Sequence, residues 1–342
     1  MIDAELIAHV QDSRDILCIS HVNPDGDAVG SLLGMAWLLR SLGKAPTPAL
    51  QDPVPEQLRS LPGADTIITS YDVSFHTRVA DRPFDLIICL DASSPDRMGK
   101  AYNPAVHAAT PLLVIDHHVT NTRFGAVNWV APECAATCQM LVALADALHA
   151  PLTAEIATCL LTGLVTDTLG FRTSNTSADV LEAAMRLMRA GADLAAITEQ
   201  TLNRRPFSAM RLWGLVLPAV QLDERVVWTT ISREQMAAAR HDGSDLQLSG
   251  WLVTADEADM SAVFLEKLDE EGQIQVECSF RAKPGFDVSE LAYALGGGGH
   301  PPASGCTLPG NLDTVTARVL PILKQASRRQ AQQQAKHTHG HA

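Results

Sequence analysis

The sequence predicts an α/β protein with two domains. A parallel sheet flanked by helices is expected in the N-terminal part, followed by a smaller α/β domain with a mixed sheet. The length of 342 residues favours two domains. In the first part, short apolar segments alternate with helical patterns, which is typical of parallel strands joined by crossover helices. Beyond Pro218 the strand segments alternate apolar and polar residues, which indicates a sheet with one exposed face.

Three consecutive segments are predicted to be buried strands of the first domain, because they are apolar almost throughout. They are DILCIS at 15–20, FDLIICL at 84–90 and PLLVI at 111–115. Apolar residues at helical spacing predict helices between and after these strands. The predicted helices cover residues 3–12, 30–42, 135–149, 152–165 and 177–190.

The remaining segments define the predicted domain boundaries. The first domain is expected to cover residues 1–190, a helical linker 191–215, and the second domain 216–330. Strands of the second domain are predicted at 225–232, 260–269 and 273–283, and a helix at 312–335. Residues 331–342 are predicted to be a disordered tail, whose alternate histidines would bind a metal only weakly.

Composition and charge exclude several classes of protein. No apolar segment approaches the roughly 18 residues that a membrane span requires, and the acidic amphipathic N-terminus does not match a signal peptide. A cytoplasmic location is therefore expected, with the seven scattered cysteines as reduced thiols. The net charge of −13 argues against binding a long double-stranded nucleic acid, which requires clustered Lys and Arg.

Acidic and histidine side chains follow the predicted strands at the points where the strands end. In chain order they are His21, Asp25, Asp27, Asp91, the triplet Asp116-His117-His118, and Asp167 after an apolar helical segment. Each one alone is as well explained as a helix cap or a turn residue. Ligands bind beyond the carboxyl ends of the strands in an open parallel sheet, so their coincidence at one edge favours a metal site.

The ligand types also indicate which metals and which chemistry to expect. Aspartate and histidine suit borderline divalent ions such as Mn²⁺. Six or seven such ligands exceed what one ion takes, whereas two ions that share a bridging carboxylate would use them all. Two ions about 3.5–4 Å apart are a recurrent arrangement for displacement at phosphorus, because they activate a water and neutralise phosphoryl oxygens.

These motifs resemble those of the DHH phosphoesterase family, which is named for the Asp-His-His triplet. The resemblance depends on HVNPDGDAVGS at 21–31, on Asp91, on the triplet at 116–118 and on Asp167. GGGGH at 296–300 is similar to the signature of the DHHA1 domain that follows in one branch of the family. The resemblance covers roughly residues 10–325, with the motifs in the expected order.

The resemblance implies two Mn²⁺ ions per chain, although other divalent ions are also compatible. By matching position, the first ion would be bound by His21 and Asp25, the second by Asp27, His117 and Asp167, and both by Asp91. Asp91, His117 and His118 would form the catalytic group, with His118 beside the bridging water or the scissile phosphate. A purely structural role for His118 stays open, and Asp116 is expected to orient its neighbours.

The resemblance also implies substrate-binding residues in the second domain. Glycine permits close approach of the backbone to a phosphate, so Gly298, Gly299 and His300 would contact one. Arg281 would bind a terminal phosphate with both ends of its guanidinium, and Ser279 shares its face if the strand alternates. The alternatives are a flexible glycine turn and an exposed strand arginine.

Among the family's branches, the chain is most similar to the stand-alone nano-RNase type. This type implies hydrolysis of short oligoribonucleotides and dinucleotides such as pApA and pGpG to mononucleotides, and of 3′-phosphoadenosine 5′-phosphate (PAP) to AMP. A net acidic chain with one small second domain suits about two to five nucleotides. A cyclic di-AMP phosphodiesterase, a non-catalytic nucleotide-binding relative and a scaffold with acidic caps stay open. The resemblance also suggests a homodimer and no membrane partner.

Overall fold

The chain folds into two compact units that divide between Arg204 and Arg205. The computed structural model describes residues 2–244, 246–269 and 271–339. Each unit contains its own sheet with helices packed against it. The division falls inside the predicted linker 191–215, because α7 (Leu194–Thr198) belongs to the first unit and α8 (Phe207–Val216) to the second.

The sheet of the first unit is parallel, as predicted. Its strands are β1 (Asp15–Ile19), β2 (Ala45–Leu50), β3 (Ile68–Thr69), β4 (Leu86–Leu90), β5 (Leu112–Asp116) and β6 (Val127–Val130). Their order across the sheet is β3-β2-β1-β4-β5-β6. The three predicted strands are β1, β4 and β5. They lie side by side in the sheet, although β2 and β3 come between β1 and β4 in the chain. Their carboxyl ends therefore meet at the centre of one sheet edge.

The prediction that the three strands are consecutive was wrong because β2 and β3 have weak sequence patterns. Pro46 and Pro48 lie within β2, and proline is unfavourable in a strand with neighbours on both sides. In the structure β2 pairs with β3 only at Ala49 and Leu50. Both prolines therefore lie in the part of β2 that has one neighbour, where a missing N–H is tolerated.

The predicted helices of the first unit are all present, with ends that shift by a few residues. They are α1 (Ala4–Asp12), α2 (Gly26–Ser41), α4 (Thr137–Ala147), α5 (Ala154–Asp167) and α6 (Ala178–Arg189), with the short α3 (Pro104–His107) and α7 in addition. The largest shift is at α2, which begins four residues before the predicted start at residue 30. The Asp25 carboxylate accepts hydrogen bonds from the amides of Asp27 and Ala28 and thereby caps the helix.

Close packing of α2 against α5 brings the ends of both helices to the same sheet edge. A Cβ atom at Gly30 would lie 2.6 Å from the Cys159 carbonyl oxygen, and one at Gly163 would lie 2.6 Å from Asp27 Oδ1. The two helices therefore approach each other at a distance that only glycine permits at these positions. Asp27 near the start of α2 and Asp167 at the end of α5 are positioned by this contact.

The second unit has a mixed sheet, as predicted. Its strands are β7 (Gln221–Asp223), β8 (Val226–Ile231), β9 (Met260–Leu268), β10 (Ile274–Ala282), β11 (Gly298–His300) and β12 (Ala303–Pro309), in the order β11-β12-β10-β9-β8-β7. Within the described residues of this sheet, β8 and β9 pair in parallel and the other neighbours pair antiparallel. The remaining helices are α8, α9 (Arg233–Ala239), α10 (Leu248–Leu252), α11 (Ser289–Ala294) and α12 (Leu312–His339).

The last helix differs from the prediction of a disordered tail at 331–342. Helix α12 continues to His339, and Gln334 Nε2 donates a hydrogen bond to the Gly285 carbonyl at 2.5 Å. Alanine, glutamine and lysine in this segment are good helix formers, which the polar composition concealed. Residues 340–342 of the predicted tail lie outside the described residues. None of the helices in the described ranges is long and apolar enough to cross a membrane.

The contact between α2 and α5 predicts the effect of adding one methyl group. We expect Gly30→Ala to lower the free energy of unfolding by about 1–3 kcal/mol, because the backbones must separate to accommodate it. The control is Gly214→Ala in α8, where a Cβ atom meets nothing within 4 Å and helix propensity predicts a gain of up to about 1 kcal/mol. Urea unfolding measures both, and a Gly30→Ala variant as stable as wild type contradicts the close packing.

Candidate metal centre

The structure brings the acidic and histidine residues of the first unit together at one sheet edge. β1, β4 and β5 end side by side, and His21, Asp91 and the triplet that begins at Asp116 lie at or just beyond their carboxyl ends. The N-terminus of α2 and the C-terminus of α5 add Asp25, Asp27 and Asp167. Every metal-site residue predicted for this unit therefore belongs to one cluster.

One group of candidate ligands forms around His21. Its Nε2 lies 3.8 Å from Asp25 Oδ1 and 3.6 Å from Asp91 Oδ2. Its Nδ1 lies 2.8 Å from the Val22 carbonyl oxygen, and donation from Nδ1 to that oxygen holds the ring with Nε2 toward the carboxylates. Arg97 Nη2 lies 3.1 Å from the same Nδ1, so a guanidinium borders this group.

A second group forms around His117, which is buried. Its Nε2 lies 3.3 Å from Asp167 Oδ2, 3.5 Å from Asp91 Oδ1 and 3.8 Å from Asp27 Oδ2. Its Nδ1 lies 3.3 Å from the Cys134 carbonyl oxygen, which fixes the ring in the same way as at His21. Three carboxylates thus lie within 4 Å of His117 Nε2.

Asp91 belongs to both groups and divides its two oxygens between them. Oδ2 faces His21, whereas Oδ1 faces His117. Its backbone has a φ of 57°, a left-handed conformation that residues other than glycine adopt only where their surroundings enforce it. The strained backbone directly after β4 aims the carboxylate between the two groups, as a bridging ligand requires.

The three residues of the triplet make different contacts. His117 faces the cluster, and Asp116 Oδ1 lies 2.7 Å from His118 Nδ1. Asn121 Nδ2 donates to Asp116 Oδ2 at 2.6 Å and to the Ala92 carbonyl at 3.0 Å. Asp116 thus contacts His118 and Asn121 in the manner expected of an orienting carboxylate.

Two further residues of the cluster were missed by sequence reasoning. Helix α4 begins after Ala136, which has no side-chain cap of its own. Instead, Thr137 and Cys138 donate their backbone N–H groups to Asp27 Oδ2 and Oδ1, at 2.6 and 3.0 Å. The Thr137 hydroxyl also donates to Asp91 Oδ1 at 3.0 Å. In the sequence, the signal for this contact is Ala136 at the start of the helix. Alanine cannot cap a helix with its side chain, so another segment must supply the cap.

The pKa values in the cluster show how its charges interact. Burial alone would lower the pKa of His21, but the negative charges of Asp25 and Asp91 outweigh burial and raise it to about 10. Burial and the charges of Asp91 and Asp167 raise the pKa of Asp27 well above its usual value. Burial, reinforced by Asp25 and Asp91, raises the pKa of Asp167 to about 6.

These observations test whether divalent cations fit the cluster. The group of His21, Asp25 and Asp91 and the group of Asp27, Asp91 and His117 each have ligand atoms within 4.8 Å of one another. Their oxygen and imidazole donors are those that ions such as Mn²⁺ accept. Burial and neighbouring carboxylates raise the pKa of Asp27 and that of Asp167, and a bound cation would favour the ionised form of both. A cation is the group that this environment fits.

The predicted substrate-binding residues lie together in the second unit. Arg281 and His300 pair with Ala303 from opposite sides of β12, so their side chains share one face of the sheet. Ser279 and Gly298 pair in the same way with Gly305. Buried residues alternate with Ser279 and Arg281 along β10, which confirms the predicted alternation.

The glycine segment before His300 lies close to the neighbouring strand β12. Gly299 has a φ of 132°, and a Cβ atom there would lie 2.6 Å from the Ala303 carbonyl oxygen. A Cβ atom at Gly298 would meet nothing within 4 Å. Gly299 is therefore required by the backbone, whereas Gly298 leaves open space on the face that carries Arg281 and His300.

Comparison with known proteins agrees with this geometry. Residues 15–164 match the model of the DHH family, N-terminal domain, and residues 248–325 match that of the DHHA1 domain. The chain is 38% identical over 311 residues to the bifunctional oligoribonuclease and PAP phosphatase NrnA of Thermus thermophilus, across 91% of this chain and 89% of that one. The chain belongs to the DHH family. Its DHH triplet is Asp116-His117-His118.

Two other known proteins resemble the chain at lower sequence identity. The NrnA protein of Mycoplasma genitalium is 24% identical over 311 residues, across 89% of this chain and 92% of the relative. The crystal structure of an exopolyphosphatase-related protein from Bacteroides fragilis superimposes with a TM-score of 0.83 at 24% identity, and covers 95% of both chains. This similarity shows that the two proteins share a fold.

The pKa values predict opposite effects for two neighbouring carboxylates in the metal-free protein. The folded-state pKa of Asp167, about 6, exceeds its usual value of 3.8, so its ionised form destabilises the fold increasingly as the pH rises through this range. We expect Asp167→Asn to raise the melting temperature in chelator at pH 8 and to change it little at pH 4.

Asp25→Asn is the matched control for this measurement. Burial opposes its ionisation, but His21 prevails and lowers the pKa of Asp25, so its charge stabilises the fold above the usual pKa. Asparagine preserves the helix cap, so we expect this variant to lower the melting temperature at pH 8. Equal shifts of the same sign in both variants would contradict the charge distribution described above.

Proposed function

We propose that this DHH protein is a divalent-metal-dependent phosphoesterase. It hydrolyses oligoribonucleotides of about two to five nucleotides, including pApA and pGpG, to mononucleotides, and it hydrolyses PAP to AMP. The observation that carries the proposal is the division of the two Asp91 oxygens between two ligand groups. The relative with 38% identity supports the substrates, because its name states oligoribonuclease and PAP phosphatase activity.

The proposed metal sites follow the two ligand groups. One ion would be held by His21, Asp25 and Asp91, and a second by Asp27, Asp91, His117 and Asp167. We propose Mn²⁺ for both sites because the donors are carboxylates and imidazoles. Bound ions of this kind activate a water molecule for attack on phosphorus and neutralise the phosphoryl oxygens.

His118 is proposed to act on the substrate phosphate, beside Asp91 and His117 in the catalytic group. Burial alone would lower the pKa of His118, but Asp116 and Asp91 prevail and raise it. The contact between Asp116 and Nδ1 fixes the orientation of the His118 ring. A protonated His118 can therefore donate a hydrogen bond to a phosphoryl oxygen from a fixed position.

The second unit is proposed to bind a phosphate of the substrate. Arg281 and His300 share a sheet face with Ser279 and with the open space at Gly298, and Gly299 holds the backbone of the segment. Burial lowers the pKa of Arg281, so a phosphate partner would offset the cost of burying its charge. A terminal phosphate of a dinucleotide and the second phosphate of PAP fit this pair in the same way.

A parallel assay tests the proposal. The full chain is incubated with Mn²⁺ and, in separate reactions, with pApA, PAP, cyclic di-AMP and pyrophosphate. We expect mononucleotides from pApA and AMP from PAP. Cleavage of pyrophosphate alone would overturn the proposal, and preferential cleavage of cyclic di-AMP would support the phosphodiesterase alternative. The cytoplasmic location, the homodimer and the absence of membrane or long duplex partners stay predictions.

The bridging role predicts that Asp91→Ala abolishes hydrolysis of both pApA and PAP, because the variant removes a ligand from both sites. Activity should fall at least 1,000-fold, and bound Mn²⁺ measured by elemental analysis should fall with it. Ser93→Ala, two residues later at a half-buried position outside the cluster, is the control. Activity of Asp91→Ala within a few-fold of wild type would exclude a bridging role.

The phosphate-binding role predicts that Arg281→Ala raises KM for pApA and PAP by about 10–100-fold, the cost of a charge-assisted hydrogen bond. Mn²⁺ affinity measured without substrate should not change. Arg233→Ala, an exposed cation at the start of α9 in the same unit, is the control for loss of general positive charge. An unchanged KM in Arg281→Ala would assign Arg281 a structural role.

A further inference from the structure

We infer that Thr137 is a positioning residue that fixes the orientation of both Asp91 and Asp27 in the metal centre. The inference deepens the proposed function and rests on its assignment of these two carboxylates as ligands. Thr137 is the first residue of α4, and it reaches the two carboxylates through different groups. Its hydroxyl donates to Asp91, and its backbone N–H donates to Asp27.

The hydroxyl contact acts on the bridging carboxylate. The torsion that rotates a carboxylate about its Cβ–Cγ bond is broad, so the position of Asp91 alone does not determine where its oxygens point. Thr137 Oγ1 lies 3.0 Å from Asp91 Oδ1, the oxygen that faces His117. With Oδ1 held there, Oδ2 faces His21. The hydroxyl thus selects the rotation in which one oxygen faces each ligand group.

The backbone contact acts on Asp27 together with its surroundings. Both Asp27 oxygens accept N–H groups from the first turn of α4, where the helix dipole favours a negative charge. The absence of a side chain at Gly163 leaves the room that Oδ1 occupies. The start of α4 therefore holds Asp27 against rotation, and the contact with Asp91 makes Thr137 the residue that couples the two.

Burial separates this role from a catalytic one. Thr137 and Asp27 have no exposed surface, and Asp91 is 2% exposed. The hydroxyl is thus directed at a ligand carboxylate from the protein side. Partners of this kind orient metal ligands, and their loss typically weakens metal affinity by about 10–100-fold.

Three variants of Thr137 separate the hydroxyl from the volume of the side chain. Thr137→Val keeps the shape and the backbone N–H but removes the hydroxyl, Thr137→Ser keeps the hydroxyl, and Thr137→Ala removes both hydroxyl and methyl. Titration calorimetry with Mn²⁺ on the full chain, without substrate, measures affinity. We expect about 10–100-fold weaker binding for Val and Ala, and binding within about threefold of wild type for Ser.

The melting temperature in chelator provides a readout that distinguishes positioning from support of the fold. A purely structural Thr137 would lower the melting temperature in Thr137→Val and leave the Mn²⁺ affinity of the folded fraction unchanged, and this result would overturn the inference. Mn²⁺ binding by Thr137→Ser that is as weak as Mn²⁺ binding by Thr137→Val would also overturn the inference. If Thr137→Val does not fold, Thr137→Ala decides in its place.

The calorimetric result is independent of the proposed function. A wild-type protein that binds Mn²⁺ but cleaves neither pApA nor PAP would defeat the proposed function, and the affinity difference between Thr137→Val and Thr137→Ser would still test the inference. At saturating Mn²⁺, we expect Thr137→Val to recover kcat to within about tenfold of wild type, because a positioning residue acts through the bound ions.

Discussion

The concentration of negative charge at one sheet edge is the constraint on which the rest of the first unit depends. Asp27 and Asp91 are buried, and burying a charge is costly unless it is paired and hydrogen-bonded. The surrounding protein supplies the pairing through His21 and His117, and the hydrogen bonds through the first turn of α4. Burial and the charges of Asp91 and Asp167 still raise the pKa of Asp27, and a bound cation would favour its ionised form.

Backbone features at distant positions in the sequence together position the charged residues of this sheet edge. Asp91 adopts a left-handed φ after β4, and α2 and α5 approach through Gly30 and Gly163. The left-handed backbone of Asp91 costs free energy, and so does glycine in a helix interior, although Gly30 and Gly163 allow the two helices to pack closely. The apolar clusters on the two faces of the parallel sheet offset these costs.

The parts of this arrangement that the sequence could predict are those encoded locally. Apolar strands followed directly by Asp or His are visible in the chain, and so the predicted ligands converge in the structure. The irregular strand β2 could not be found because Pro46 and Pro48 oppose a strand pattern, although the part of β2 that has one neighbour tolerates them. The Asp27 carboxylate caps α4 by accepting the N–H of Thr137, which lies 110 positions later in the chain. No local sequence pattern predicts such a contact.

Under the proposed function, the two units would contribute to different parts of substrate recognition. A cluster of carboxylates and histidines that holds cations recognises the phosphate common to all phosphoesters, so it cannot by itself distinguish a dinucleotide from pyrophosphate. Discrimination must then come from groups that contact the rest of the substrate. In the second unit, Arg281 and His300 flank Ala303 on one sheet face, beside the open space at Gly298. Small residues between two cationic or hydrogen-bonding side chains leave room for a second phosphate, which every proposed substrate carries. We therefore expect changes of substrate preference among DHH proteins to arise on this face, while the metal centre stays the same.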